Sequence, residues 1–156
     1  MTTIDPETLR RELLLEQEIN RRLDPLVRQA SAAVVLLKGN DRMEVSQLRN
    51  LLNTAVETGS LEVVVNFIRY QIARNQQAWG AGPQDFGQRV ITDLRGPVHA
   101  LAQETATAVG TQAGTTERLA AESFGRMMTL YLGYLNRAFY YAKRTGKFED
   151  LEAING

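Results

Sequence analysis

The apolar residues between positions 44 and 79 recur at intervals of three and four, the spacing that buries one face of an α-helix. Before position 59 these residues are Leu48, Leu51, Leu52 and Ala55. After it they are Leu61, Val64, Val65, Ile68 and Ile72. Gly59 is a typical helix end and Ser60 is a typical N-cap. The sequence therefore predicts a helical hairpin over residues 44–79.

The same kinds of signal predict helices on both sides of this hairpin. Asp5, Pro6 and Glu7 form a strong helix start, and Asp24 with Pro25 repeats it, so we expect a break near residue 24. No segment of useful length alternates with the period of a β-strand. The N-terminal part of the chain is therefore expected to form two helices.

Glycine, proline and threonine mark the boundaries in the second half of the chain. Residues 80–83 have the composition of a linker, and Gly96 with Pro97 should kink or split the helix that follows. A Gly/Thr-rich loop is expected over 110–116, before a long final helix over 117–144. We therefore predict an all-α, single-domain bundle of five to seven helices that comprises the whole chain.

Composition excludes several classes of function. The chain has 156 residues, no cysteine and one histidine, so thiolate chemistry is absent and most catalytic triads and metal sites lack partners. We assign no catalytic residue, no metal and no cofactor. No apolar run approaches the ~20 residues that span a bilayer, and the N-terminus lacks a secretory apolar region. We expect a cytoplasmic protein without membrane contact.

The charges are unevenly distributed although they sum to zero. Residues 63–147 carry 10 basic and 5 acidic residues, and the last nine residues carry 3 acids and no base. Of the 18 basic residues 15 are arginine, which suits forked contacts with phosphate, although genomic composition produces the same bias. The outward side of the hairpin carries guanidinium, amide and aromatic groups and few acids: Arg49, Asn53, Asn66, Arg69 and Tyr70.

The final helix presents a second basic surface. At 100° per residue Arg126, Arg137 and Arg144 lie within about 20° of one line and span roughly 27 Å. Gly133 and Tyr140 lie near the same line, so a nucleic-acid strand could approach the backbone and a base could stack on the ring. We interpret these surfaces as acid-poor contacts for RNA phosphates, which would position a strand without reading its sequence.

Two other interpretations stay open. In one, the same arginines pair with acids of a protein partner, and the chain is an adaptor without RNA contact. In the other, Arg95 and His99 act as in HEPN-like RNases, which join such a pair with its copy across a dimer. Only three residues separate the pair here, and Gly96 with Pro97 disturbs the helix that the motif needs. For His99 we expect a hydrogen-bonded, partly buried ring near the kink.

Three ordered blocks of the sequence resemble the small subunit of type III CRISPR effector complexes, the Csm-type small-subunit family. The first is Ser46-Gln47-Leu48-Arg49-Asn50, and the second is the aliphatic and aromatic run from Phe67 to Arg74. The third is the aromatic-rich helix from Phe124, which closes on Lys143. Residues 44–79 and 117–144 form the family-like core, whereas residues 1–24 look like an added N-terminal helix.

The resemblance implies a non-catalytic subunit of a cytoplasmic, prokaryotic ribonucleoprotein that acts in antiviral defence. Several identical copies would stack beside the backbone and large subunits and hold guide RNA and target RNA on their basic faces. Matching position by position, it implies RNA contacts for five residues: Arg49, Arg69, Arg74, Arg137 and Lys143. Arg126 and Arg144 are added to these from helical geometry alone.

Overall fold

The computed structural model describes residues 4–152, and all regular secondary structure in that range is helical. The helices are α1 (Pro6–Asn20), α2 (Leu23–Val35), α3 (Val45–Thr58), α4 (Leu61–Arg74), α5 (Gln76–Trp79), α6 (Phe86–Asp93), α7 (His99–Ala113), α8 (Leu119–Thr145) and α9 (Glu149–Glu152). Seven of them have eight residues or more, and α5 and α9 are four-residue turns. The predicted all-α bundle of five to seven helices is confirmed.

Helix α8 forms the centre of the bundle. It packs against α2, α3 and α7, which surround its buried face. Along this face Met127, Tyr131, Leu135 and Phe139 are each exposed by 1% or less. Burial of such side chains removes apolar surface from water and stabilises the fold by about 25 cal/mol per Å². The long helix therefore fixes where the shorter helices lie.

Helices α3 and α4 form the predicted hairpin. Gly59 has φ +62°, a left-handed conformation that ends α3 with little strain because glycine has no Cβ. The Ser60 hydroxyl oxygen then accepts the Val63 N–H at 3.3 Å and caps α4. At the start of α3 the Glu44 N–H donates to Gln47 Oε1 at 2.8 Å. Local signals thus define the start of α3 and the corner between α3 and α4.

Helix α1 is tied to the end of α7 by arginine side chains. Asp5 caps α1 by accepting the Thr8 N–H at 3.4 Å, as the sequence predicts. Further along, Arg11 Nη2 donates to the Ala113 carbonyl oxygen at 2.8 Å, and Arg10 donates to that of Gln112 at 3.2 Å. The last carbonyls of α7 have no intrahelical partners, so these bonds satisfy them. The N-terminal helix is therefore an integral part of the bundle.

The region around Gly96 and Pro97 differs from a simple break. Residues Leu94–Val98 form a π-helical segment that joins α6 directly to α7. A π-helical turn places the ring of Pro97, which has no N–H, within a continuous helical path. The predicted kink or split thus takes the form of a change in helical winding.

The predicted loop over 110–116 is shorter than expected, because α7 continues to Ala113 and the connection to α8 comprises residues 114–118. A Cβ at Gly110 would lie 2.9 Å from Thr115 Oγ1, so glycine lets the connection fold back against the helix.

Within residues 4–152, no helix is long and apolar enough to cross a membrane.

Candidate nucleic-acid interface

Arg49 lies on the exposed side of α3, as predicted. Asn50 and Asn53 are also exposed on this helix, one position and one turn away. Within the described part of the chain the Arg49 guanidinium makes no ion pair and no hydrogen bond, so all of its donors are available. This side of α3 can therefore offer a charged fork and amides to an incoming anion.

Arg69, Tyr70 and Arg74 are exposed on α4, the second helix of the hairpin. The Tyr70 side chain is 58% exposed, and the guanidinium carbon of Arg74 lies 5.9 Å from the centroid of its ring. A cation over the face of an exposed aromatic ring forms a platform on which a base can stack next to a phosphate contact. The α4 surface thus combines the two kinds of group that bind single strands.

Arg137 and Arg144 lie on the exposed side of α8. Arg144 stacks on Tyr140, with the guanidinium carbon 5.3 Å from the ring centroid, and its Nη2 donates to the Tyr140 hydroxyl oxygen at 3.2 Å. A Cβ at Gly133 would meet no atom within 4 Å, so the helix surface is open there. Arg137 has no partner among the residues that the structure describes. The predicted line is therefore accessible in its C-terminal half.

The predicted acid-poor line is wrong at Arg126. Its Nη2 is hydrogen-bonded to Glu12 of α1, and it also contacts Glu122 Oε1 at 2.7 Å. Partial burial opposes the charge on this side chain, but the two carboxylates outweigh it and raise the pKa of Arg126 above its usual value. The reason for the error is the packing of α1 on α8, which brings a distant acid to the guanidinium. Arg126 holds two helices together and is not available as a free cation.

Lys143 is also engaged within the protein. Its ammonium group donates to the Met43 carbonyl oxygen, lies 3.6 Å from Glu44 Oε2 and sits 5.6 Å from the centroid of the Phe139 ring. The side chain is only 29% exposed. These contacts join the end of α8 to the start of α3. Lys143 therefore supports the hairpin directly, and any contribution to RNA binding would have to compete with these bonds.

The Arg95 and His99 pair does not have the predicted environment. His99 is exposed and its side chain makes no hydrogen bond within residues 4–152, so the expected hydrogen-bonded, partly buried ring is wrong. Its ring instead lies 5.9 Å from that of Phe124, and Arg95 forms an ion pair with Glu62 at 3.4 Å. The RNase alternative gains no geometric support from these contacts.

The arginines fall into two groups, those bound to an acid or a backbone carbonyl of the described residues and those that are not. Seven of them make no ion pair or hydrogen bond to a carboxylate or a backbone carbonyl of residues 4–152: Arg28, Arg49, Arg69, Arg74, Arg118, Arg137 and Arg144. Five of the seven predicted RNA-binding residues belong to this set. Sequence reasoning missed Arg28, the single arginine of α2, and Arg118, which lies in the connection just before α8.

The protein is an all-α bundle whose α3 and α4 hairpin carries three exposed arginines, Arg49, Arg69 and Arg74. No family model matches the chain, and neither a curated protein nor a solved structure shows significant similarity to it. No group of three or more His, Asp or Glu side chains among the described residues could hold a metal ion. The arguments for function therefore depend on the three sequence blocks and on the geometry of the exposed arginines.

Proposed function

We propose that this protein is a non-catalytic small subunit of a type III CRISPR ribonucleoprotein. Several copies stack beside the backbone and large subunits, and they hold guide RNA and target RNA on the exposed sides of α3, α4 and α8. The proposal is supported by the three blocks of sequence resemblance and by the all-α fold. It assigns phosphate contacts to Arg49, Arg69, Arg74, Arg137 and Arg144.

The observation that carries the proposal is that none of these five guanidiniums is bound to a carboxylate or a backbone carbonyl of residues 4–152. Eight of the ten other arginines are bound to carboxylates or carbonyls of the described residues, as at Arg11, Arg22 and Arg126, and the remaining two, Arg28 and Arg118, have no such partner there. An exposed arginine held by an internal acid would lose that pair on binding phosphate, whereas a free one loses only water. These five residues lie on the α3 and α4 hairpin and on the C-terminal half of α8, where the exposed rings of Tyr70 and Tyr140 accompany arginines.

Each contact of this kind is weak, so affinity has to come from repetition. Phosphate contacts are independent of sequence and decrease with salt concentration. When identical subunits line one RNA, the second and later contacts form at a high effective concentration. A neutral subunit can therefore bind RNA firmly inside an assembly without binding it strongly alone.

The test is purification of the assembly from the native host through a tag on this chain, followed by RNA extraction and salt washes. The variants are Arg49→Ala, Arg69→Ala and Arg137→Ala, and the matched control is Arg42→Ala, an exposed arginine paired with Asp41 at 3.7 Å. Each variant should weaken RNA retention uniformly across sequences and lower the salt slope by about 1 for each copy that contacts the RNA. The control should retain RNA as the wild type does.

A purification that yields one protein partner and no RNA in any assembled state would contradict the proposal. That outcome would support the adaptor alternative, which one observation favours. Leu9 and Leu13, one turn apart on α1, are 46% and 58% exposed and form an apolar strip on the surface. A sequence-dependent loss of RNA in the arginine variants would also exclude phosphate positioning as the mechanism.

A further inference from the structure

The buried carboxylate of Asp93, the last residue of α6, holds the side chain of Arg89, which lies one turn earlier on the same helix. Asp93 is 2% exposed, and its Oδ1 accepts from Arg89 Nε at 2.9 Å. Its Oδ2 accepts from the Tyr131 hydroxyl of α8 at 2.6 Å, and Tyr131 is fully buried. Burying a carboxylate is costly, and both of its oxygens are satisfied by these two donors. The network holds Arg89 in one orientation.

The free end of Arg89 faces a cleft. Because Nε binds Asp93, the two terminal nitrogens remain without a hydrogen-bond partner in the described structure, and the side chain is 31% exposed. Arg89 lines a cleft of about 400 Å³ between α2, α6 and α9. A guanidinium that is held from behind by a buried acid loses little freedom when it binds a ligand.

The rest of the cleft complements an anion that carries an apolar group. Arg28 lies in the same cleft, exposed and free of any acid among residues 4–152, and Gln29 adds an amide. The apolar lining consists of Ala32, Val35 and Leu151. Glu152 is the single acid among the lining residues, and it makes no ion pair with either arginine.

We propose that this cleft is a binding site for the phosphate group of a small organic phosphate monoester. Arg28 and Arg89 lie on different helices, so two forks together can contact more oxygens than the two that a carboxylate offers, and a phosphate supplies these. The volume of 400 Å³ lies within the range of small-molecule sites and exceeds the need of a bare phosphate. The organic group contacts the apolar lining.

This site is separate from the proposed RNA surface. It uses neither the α3 and α4 arginines nor Arg137 and Arg144, so one proposal can fail while the other holds. Helix α9 forms one wall, and it is anchored by the Tyr141 hydroxyl, which donates to Asp150 and thereby raises the pKa of Tyr141. The wall is therefore part of the folded protein.

The experiment is a titration of the full chain at constant ionic strength, with inorganic phosphate and phenyl phosphate as probes. Binding is followed by calorimetry and by the NMR signal of arginine Nε–H groups, where Arg89 Nε–H should shift. Phenyl phosphate should bind at least about threefold more tightly than inorganic phosphate, because its ring covers the apolar lining. Arg89 itself is left unchanged, because its removal would leave Asp93 buried without a cation.

Two variants and a matched control make the test specific. Arg28→Gln should weaken phenyl phosphate about tenfold, since it removes charge-assisted hydrogen bonds. Glu152→Gln should strengthen it about twofold, since the nearby negative charge is lost. Arg118→Gln removes the same charge from an exposed arginine elsewhere and should leave the affinity unchanged. The proposal would be overturned by non-saturable binding, by equal effects of Arg28→Gln and Arg118→Gln, or by equal affinity for both probes.

Discussion

Replacing Tyr131 by phenylalanine tests the buried network most directly. The change deletes one oxygen atom and leaves the ring, so packing around α8 is retained. It removes the donor that lies 2.6 Å from Asp93 Oδ2, inside a core where both residues are exposed by 2% or less. Asp93 Oδ2 then has no donor among the described residues, and no space for water is created beyond that of the missing hydroxyl.

The expected cost follows from the charge of the acceptor. A hydrogen bond to an ionised group contributes about 1.5–3 kcal/mol, and a buried group left unsatisfied costs a similar amount. We therefore expect Tyr131→Phe to lower the free energy of unfolding by about 2 kcal/mol at neutral pH. For a chain of 156 residues, with an unfolding entropy of about 0.33 kcal/mol/K, this is a decrease of about 6 °C in Tm.

The pH dependence gives a second, independent readout. Burial is the main cause that raises the pKa of Asp93 above 3.8, while the hydrogen bonds from Tyr131 and Arg89 lower it. A group whose pKa is raised in the folded state stabilises the protein below its unfolded pKa, and this contribution is lost as the pH rises through the folded pKa. Removing the hydroxyl raises the pKa of Asp93 further. The cost of Tyr131→Phe should therefore be largest at neutral pH and should decrease as the pH falls and Asp93 takes up a proton.

Urea unfolding followed by circular dichroism at pH 4, 5.5 and 7.5 measures this cost. The matched control is Tyr134→Phe, on the same helix, because the half-buried Tyr134 hydroxyl has no hydrogen-bond partner in the described range. The control should change the free energy of unfolding by less than about 0.5 kcal/mol at every pH. Equal effects of the two substitutions, or a cost for Tyr131→Phe that does not vary with pH, would refute the reasoning.

Two further predictions concern residues that bind within the protein. Lys143→Met keeps the contact with Phe139 but leaves the Met43 carbonyl oxygen without its donor. In urea unfolding it should therefore lower the free energy of unfolding by about 1–2 kcal/mol. An unchanged unfolding midpoint would exclude this structural role of Lys143. Arg126→Gln breaks the half-exposed ion pairs with Glu12 and Glu122 and should lower the free energy of unfolding by about 0.5–1 kcal/mol, a difference that decreases at high salt. It should leave RNA retention unchanged. A loss of RNA as large as that of Arg137→Ala would instead place Arg126 in the proposed RNA interface.

The sequence predicts the elements whose ends are set by neighbouring residues. Gly59 and Ser60 define the hairpin corner through a left-handed glycine and a cap that reaches only to Val63. Asp5 and Pro6 start α1 in the same local way. Such signals act within one helical turn, so they are readable without knowledge of the fold.

Contacts between distant residues are the ones that sequence reasoning missed. The pairs Arg126 with Glu12, Lys143 with Met43 and Tyr131 with Asp93 are separated by 114, 100 and 38 residues. Helical periodicity places each side chain on a face but does not show which helix covers that face. The placement of Arg126 on an acid-poor line was wrong for this reason, whereas Lys143 was assigned to RNA by the family resemblance alone.

A chain with zero net charge can present basic surfaces because its unpaired acids and arginines are unevenly distributed. Several acids form ion pairs with arginines within or between helices, among them Glu12, Glu18, Glu62 and Asp93. Each such pair is locally close to neutral, although Glu62 lies on α4 itself and is 74% exposed. A ligand on these helices would meet their unpaired arginines together with the exposed acids of the same helices, such as Glu57 on α3. Whole-chain charge therefore does not describe the local charge of these surfaces, which depends on where the unpaired arginines and acids lie.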